Sequence, residues 1–527
     1  MRGFILMAWL LCLAVLHGCG PADSGGADPG ERQDELPIPS VTISLSSKLT
    51  NLDILGSTHQ PSIVTLYLIA GQLFRLNHDW SVEPELAESM EVSGDGLTAT
   101  VTLKEGLVYS DGTPVTSGDA VFAYTRNRDR PGPYFPLLLP PIREVEAPDP
   151  KTVVFHLKEP YLDLPLALAH MAMGLHPQSR IEEDPDYFLH PVSSGPYVLK
   201  EWIPGASRWV IEANPNYVRG AMAIERIELV AVPDPTSRVL QLAAGTIDYV
   251  YDLPVTARAS LPAGVETYPA PHNGQYHVAF NGGLADGHPL RNAQVRQAIS
   301  LAIDRDEVNQ KAFGGISPPA RGFQYAGPPE SLFNLPFGGK RNLEAARELL
   351  AKTPFSDGFS VTLQAWGQRS GWTDAALVIA ANLQDLGIQV QVEPLEDAVA
   401  GSNLRSGGYE MQFSGLAAGP MNFFRSQWIP GAFWTEALRY RNPEVIRLVN
   451  SASVAVDFDR RIELIHRAQE LALQDMPLVP ISERVVLVGS RIDRKILFEA
   501  NLPPGTNPMV ATLAELQRHS DPSSTGE

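Results

Sequence analysis

Residues 84–126 read PELAESMEVSGDGLTATVTLKEGLVYSDGTPVTSGDAVFAYTR, and they carry several local signals in one order. Thr98, Thr100, Thr102 and Lys104 alternate with Ala99, Val101 and Leu103, the period of two of a strand with one buried face. Gly94-Asp95-Gly96 reads as the tight turn before it, and Ser110-Asp111-Gly112-Thr113-Pro114 as a second turn after it. Thr116 with Asp119 three residues on has the spacing of a capping pair, opening a helix through Val121, Tyr124 and Thr125. With the apolar and acidic residues after Pro84 taken as helical, the expected order is helix, hairpin, turn, helix.

This succession closely resembles the signature of the family 5 extracellular solute-binding proteins, the oligopeptide- and dipeptide-binding components of ABC importers. Further matches follow in the same order. Val192-Ser193-Ser194-Gly195-Pro196-Tyr197 resembles the family's "PVGTGPY" string, and Gly245-Thr246-Ile247-Asp248 resembles its "G-x-ID" helix stop. Val295-Arg296-Gln297-Ala298-Ile299 through Asp304-Arg305 resembles "VRQAIxxAIDR", and Pro477-Leu478-Val479-Pro480 resembles "PLVP". The likeness runs over residues 40–515. It implies an α/β, two-lobed periplasmic-binding-protein-like fold of class II, with an extra small domain and a discontinuous first domain. Residues 41–71, 189–275 and 485–518 would form that first domain, 72–188 the small domain, and 276–484 the second ligand-clasping lobe.

Length and composition agree with this picture. At 527 residues the chain is too long for a single hydrophobic core. Its 41 Lys plus Arg against 60 Asp plus Glu leave a net charge of -19 with no basic stripe, which argues against nucleic acid as a partner. At the N-terminus Arg2 is followed by an apolar run from Phe4 to Leu16 and then His17-Gly18-Cys19. That run is shorter than the ~20 residues that cross a bilayer, and reads as a secretory signal over residues 1–18. Leu-x-Gly-Cys resembles the bacterial lipobox, which makes Cys19 the lipidated first residue of the mature protein; a plain signal peptide cleaved nearby is the alternative. Residues 19–40 are rich in Gly, Pro, Asp and Ser and read as a tether, residues 519–527 as a tail. Cys12 lies inside the signal, so no intrachain disulfide and no cysteine metal site is expected.

No enzyme motif stands out. There is no G-x-S-x-G, no phosphate-binding glycine loop followed by Lys and Ser/Thr, and no H-E-x-x-H. The 12 histidines are scattered, so neither a metal nor a cofactor is expected. A binding cleft instead needs apolar walls and a few polar groups that fix orientation. Tyr134 matches a "PY" position that lines the cleft in relatives, a packed loop tyrosine being the alternative. Trp366, Arg369 and Trp372 cluster between an expected strand and helix; a guanidinium flanked by indoles suits a carboxylate, and interdomain packing is the other reading. Relatives that bind peptides often carry "R-x-G-W-x-A-D-Y-x-x-P", whose aspartate meets the peptide's α-amino group. Here the matching stretch is Phe413-Ser414-Gly415-Leu416-Ala417-Ala418-Gly419-Pro420, with arginine, tryptophan and aspartate all missing. The expected protein is therefore a monomeric, membrane-anchored, extracytoplasmic lipoprotein, not an enzyme, that delivers a peptide or peptide-like solute to an ABC permease. A binding protein for a non-peptide solute, a sensory binding protein and, further off, a secreted hydrolase are the alternatives.

Overall fold

The first strand, β1 (Val41–Leu45), buries Val41, Ile43 and Leu45, and a short antiparallel ribbon follows from β2 (Phe74–Leu76) and β3 (Val82–Pro84). This computed structural model describes residues 39–53, 55, 60–76, 81–130, 140–323, 335–367, 369–417 and 428–492. The expected signal, Cys19, the tether, Tyr134 and the tail lie outside the described residues.

The stretch 84–126 forms a hairpin and a helix. β4 (Ala87–Val92) pairs antiparallel with β5 (Thr98–Leu103), and between them Ser93 N–H donates to Thr98 O at 2.8 Å. Asp95 Oδ1 accepts from Ser93 Oγ (2.6 Å) and Leu97 N–H (3.0 Å), while Gly96 turns the chain at φ 71°, a conformation that costs glycine little. In β5 the alternation is realised: Ala99, Val101 and Leu103 are buried, with the threonines half-buried between them. The helix expected after Pro84 is absent, because residues 87–92 are a strand. Leu, Ala, Glu and Met favour helix, but here the edge of β5 supplies a ladder to pair with, and that tertiary context overrides weak propensity. Thr116 and Asp119 do form a reciprocal cap: Thr116 N–H and Oγ1 both reach Asp119 Oδ2, at 2.9 and 3.2 Å. The helix they open is Ser117–Asp129. With β6 (Ile142–Asp149) and β7 (Thr152–Leu157), the hairpin completes a four-stranded sheet in the order β4-β5-β7-β6. Val101, Tyr109, Tyr124, Phe155 and Leu164 share its core.

The remaining nine strands join β1 in one sheet of ten. They are β8 (Tyr197–Glu201), β9 (Arg208–Ala213), β10 (Arg226–Ala231), β11 (Tyr249–Leu253), β12 (Glu266–Phe280), β13 (Phe359–Trp366), β14 (Ile388–Leu395), β15 (Met411–Ala417) and β16 (Leu478–Ser490). Their order is β14-β13-β15-β12-β16-β11-β1-β10-β9-β8. The two long central strands divide the sheet into its lobes. Glu266 to Pro271 pair with Ser490 to Val485, and Gln275 to Ala279 with Glu483 to Leu478, with a break in register between Pro271 and Gln275. Before the break Tyr268, Ala270, Val486 and Val488 join a core with Val41, Trp209 and Tyr249. Beyond it Tyr276, Val278, Val479 and Ile481 join a different core with Val295, Ile299, Ile379 and Leu383. The same two strands thus feed two cores, and the break is the crossing from one lobe to the other.

The stripe Val295, Ala298, Ile299 and Ala302 is buried on the helix Ala293–Ala302. Asp304 then caps a second helix, Arg305–Phe313, accepting from Glu307 N–H at 2.9 Å. Arg305, only 1% exposed, has no carboxylate among its recorded partners. Its Nε donates to Pro480 O (2.8 Å), and its terminal nitrogens to Ser300 O (3.0 Å) and Ser300 Oγ (2.9 Å). Burial lowers its pKa to about 10, which still leaves it charged at neutral pH. The side chain therefore ties the helix pair to β16. Arg305→Met would keep much of the volume but leave three buried acceptors unmet, and we expect a loss of about 2–3 kcal/mol, read as a lower denaturant midpoint at unchanged slope.

Candidate ligand site

Strand β13 ends on Trp366, and the helix Trp372–Gln384 begins six residues later. Arg369 N–H donates to Trp366 O (3.2 Å), and Trp372 N–H donates to Arg369 O (3.3 Å). This tight connection brings all three side chains together. The Arg369 guanidinium carbon stands 4.4 Å from the Trp366 ring centre and 4.7 Å from that of Trp372, within cation–π range of both. Arg369 Nε donates to Asp397 Oδ2 at 3.0 Å, from the first turn of the helix Asp397–Ser406. That bond fixes the planar fork by its inner edge. The structure records no partner among the described residues for the two terminal nitrogens, and the side chain keeps 35% of its exposure. An anion would meet the fork end-on.

The two indoles have different surroundings. Trp366 is half-buried and donates from Nε1 to Gln412 Oε1 at 3.3 Å. Trp372 is 3% exposed, so it supports the guanidinium from within the core. Its ring meets Tyr276 edge-on at 5.5 Å and Phe413 at 5.7 Å, and Tyr276 in turn stacks on Phe313 at 4.5 Å. Gly415 makes room for it: a Cβ there would stand 2.8 Å from Trp372 Cη2. Part of the stretch 413–420 thus lies in β15, with Phe413 and Gly415 packed against this indole; residues 418–420 lie outside the described residues.

Sequence reasoning missed two charged residues of this site. Asp397 is one, and Arg484 is the other. Arg484, next to Glu483, interrupts the apolar run of β16 opposite the break in β12, and its charge acts on the Tyr276 phenol. Burial raises the pKa of that phenol, so it stays neutral. Burial also lowers the pKa of Arg369; Asp397 opposes this, and the charge of Arg484 adds to it. The charges of two guanidinia therefore act on one another near the crossing, with Asp397 bonded to the first and Asp252 acting on the same phenol as the second. A charged pair within an apolar strand is the signal that marks such a position in sequence.

A shallow recess open to solvent is lined by Leu52, Phe122, Arg126, His176 and Phe188 among others. Its arginine is already committed. Arg126 holds Asp53 by two bonds of 2.9 and 2.7 Å and lies 4.9 Å from the Phe188 ring centre. His176, whose pKa burial pushes down to about 4, is neutral at physiological pH. This recess offers no spare charge to a polar solute, and the cluster around Arg369 is the better candidate.

No helix among the described residues is long and apolar enough to cross a membrane. The family model described as "Bacterial extracellular solute-binding proteins, family 5 Middle" matches residues 81–433. The chain is 27% identical to the glutathione-binding protein GsiB of Salmonella paratyphi A over 515 residues, 93% of this chain and 96% of that one. The fold is similar to that of DppA from Helicobacter pylori in complex with the peptide STSA, at a TM-score of 0.74 and 21% identity, over 86% of this chain and 94% of that one. It is also similar to AgaA from A. tumefaciens R10 in complex with agropinic acid, at 0.73 and 24%, over 90% and 97%. The chain belongs to the bacterial extracellular solute-binding proteins of family 5, the extracytoplasmic components that hand solutes to ABC importers.

Proposed function

We propose that the solute is a peptide or peptide-like molecule with an anionic end, held between the lobes where β12 and β16 cross. The observation that carries this reading is the Arg369 fork, braced by two indoles and Asp397 with its terminal nitrogens pointing to no recorded partner. A carboxylate accepting two parallel bonds suits such a fork, and the nearby Arg484 charge favours a second anionic or hydrogen-bonding group. Glutathione, the ligand named for the Salmonella relative, is a tripeptide with two carboxylates and one ammonium. It fits this balance better than a simple zwitterionic dipeptide does. The missing aspartate of the 413–420 stretch counts against any solute that buries a free ammonium, glutathione's included, because an ammonium buried without an anionic partner is costly. A non-peptide acid with the same end group is the second reading, and that same missing aspartate favours it.

The test is mass spectrometry of whatever solute survives gentle purification, followed by calorimetry with glutathione and a panel of free dipeptides. We expect weak selectivity among the dipeptides. Tight binding that depends on their α-amino group would sink the reading.

The protein would work from a lipid anchor at Cys19, the cysteine of Leu-x-Gly-Cys. Cys19→Ser is expected to move the protein from the membrane to the soluble fraction of lysed cells. An unchanged membrane fraction would show that it is not a lipoprotein.

A further inference from the structure

We propose that Arg461 and Asp163 form a latch between the lobes, setting how firmly a solute is retained without touching it. Arg461 lies in the helix Phe458–Asp475, whose Leu464, Ile465 and Ala468 pack with Ala279 and Leu478 at the far ends of β12 and β16. Asp163 precedes the helix Leu164–Leu168, whose Leu164, Ala167 and Leu168 belong to the core of the four-stranded sheet. Those two cores share no residue. In sequence they are joined only through β8 to β11 and the crossing itself. Yet Arg461 Nη2 stands 2.7 Å from Asp163 Oδ2, with the side chains 8% and 19% exposed.

A second observation concerns how Asp163 is used. It occupies the N-cap position of its helix, where an aspartate ordinarily accepts a bond from the second or third backbone N–H. Asp163 makes no such bond. Its carboxylate is turned away from its own helix to meet the guanidinium of the other lobe. The physics of a largely dry ion pair gives this contact a direction. While the lobes are closed, removing Arg461 leaves the Asp163 carboxylate desolvated without its recorded partner, and removing Asp163 takes from Arg461 a contact made in a largely dry setting; once the lobes are open, each charge is hydrated and the contact matters little. Losing either residue therefore penalises the closed form alone, and the population moves toward the open one by that difference. A pair at the hinge would barely sense opening, but this one joins elements that lie outside the crossing strands. The inference does not depend on which solute is bound.

Small-angle X-ray scattering of the purified, ligand-free protein tests it. Asp163→Asn and Arg461→Met are each expected to raise the radius of gyration at a temperature well below unfolding. The exchanged pair, Asp163→Arg with Arg461→Asp, should return it toward the wild-type value. The melting temperature is measured beside it, because an ordinary packing contact would lower that temperature and leave the scattering as it was. Unchanged scattering in both single variants overturns the latch, whether the melting temperature falls or not. So does an exchanged pair that stays as expanded as the single variants.

Discussion

Arg369→Ala should weaken solute binding by about 2–5 kcal/mol, the range seen when one partner of a desolvated charge pair is removed, or roughly 30- to 5000-fold in Kd. The stability of the empty protein should hardly move. The Arg369 side chain makes one recorded hydrogen bond, to Asp397, and both side chains retain about a third of their exposure. A partly solvated pair of that kind contributes no more than about 1 kcal/mol. The indoles would lose a cation between them but not their own packing, since Trp372 is held by Tyr276 and Phe413. Arg369→Lys is a useful second variant: it keeps the charge but loses the planar fork, and so separates attraction from bidentate geometry. Calorimetry with the solute identified from the purified protein reads both variants. Unaltered affinity in Arg369→Ala would return the whole cluster to structural packing.

How far the sequence reaches can be seen at this same cluster. Trp366, Arg369 and Trp372 were legible because a strand-to-helix connection of five residues must bring its ends together, whatever the rest of the chain does. The helical stripe from Val295 to Ala302 and the alternation from Thr98 to Leu103 were legible for the same reason, since a local period fixes which face is buried. The helix expected after Pro84 failed because the partner that makes residues 87–92 a strand is the hairpin edge, which propensity does not see. Arg484 and Asp397 escaped notice because they reach the site through pairings distant in sequence. β16 meets β12 some two hundred residues away, and only that register sets Arg484 beside Tyr276. Gly415 drew attention for the tryptophan and aspartate missing around it, whereas its own role is to admit the Trp372 ring. Nothing in the sequence announced the Asp163–Arg461 contact, for it joins two charged side chains on separate cores.

Trp372→Ala should cost about 3–5 kcal/mol of stability, the usual range for deleting a large buried aromatic, and should weaken solute binding as well. The ring is almost fully buried, and four neighbours define the space it would leave: Trp366, Tyr276, Phe413 and the backbone at Gly415. Neither Tyr276, stacked on Phe313 and held in β12, nor Phe413, fixed in the middle of β15, is free to collapse into it. Affinity falls because Arg369 loses one of its two aromatic faces, worth about 0.5–2 kcal/mol. This separates the two residues, since Arg369→Ala is expected to change binding alone. The contact with Gly415 provides an independent check on the geometry. Gly415→Ala in the wild-type background sets a Cβ against Trp372 and must displace the ring or the strand. In the Trp372→Ala background the same methyl group enters vacated space, so the second substitution should cost less than it does alone. The coupling between them is expected at about 0.5–3 kcal/mol, as for residues in direct contact. Chemical denaturation of the four proteins measures it, and simple additivity would mean that the Trp372 ring does not lie against Gly415.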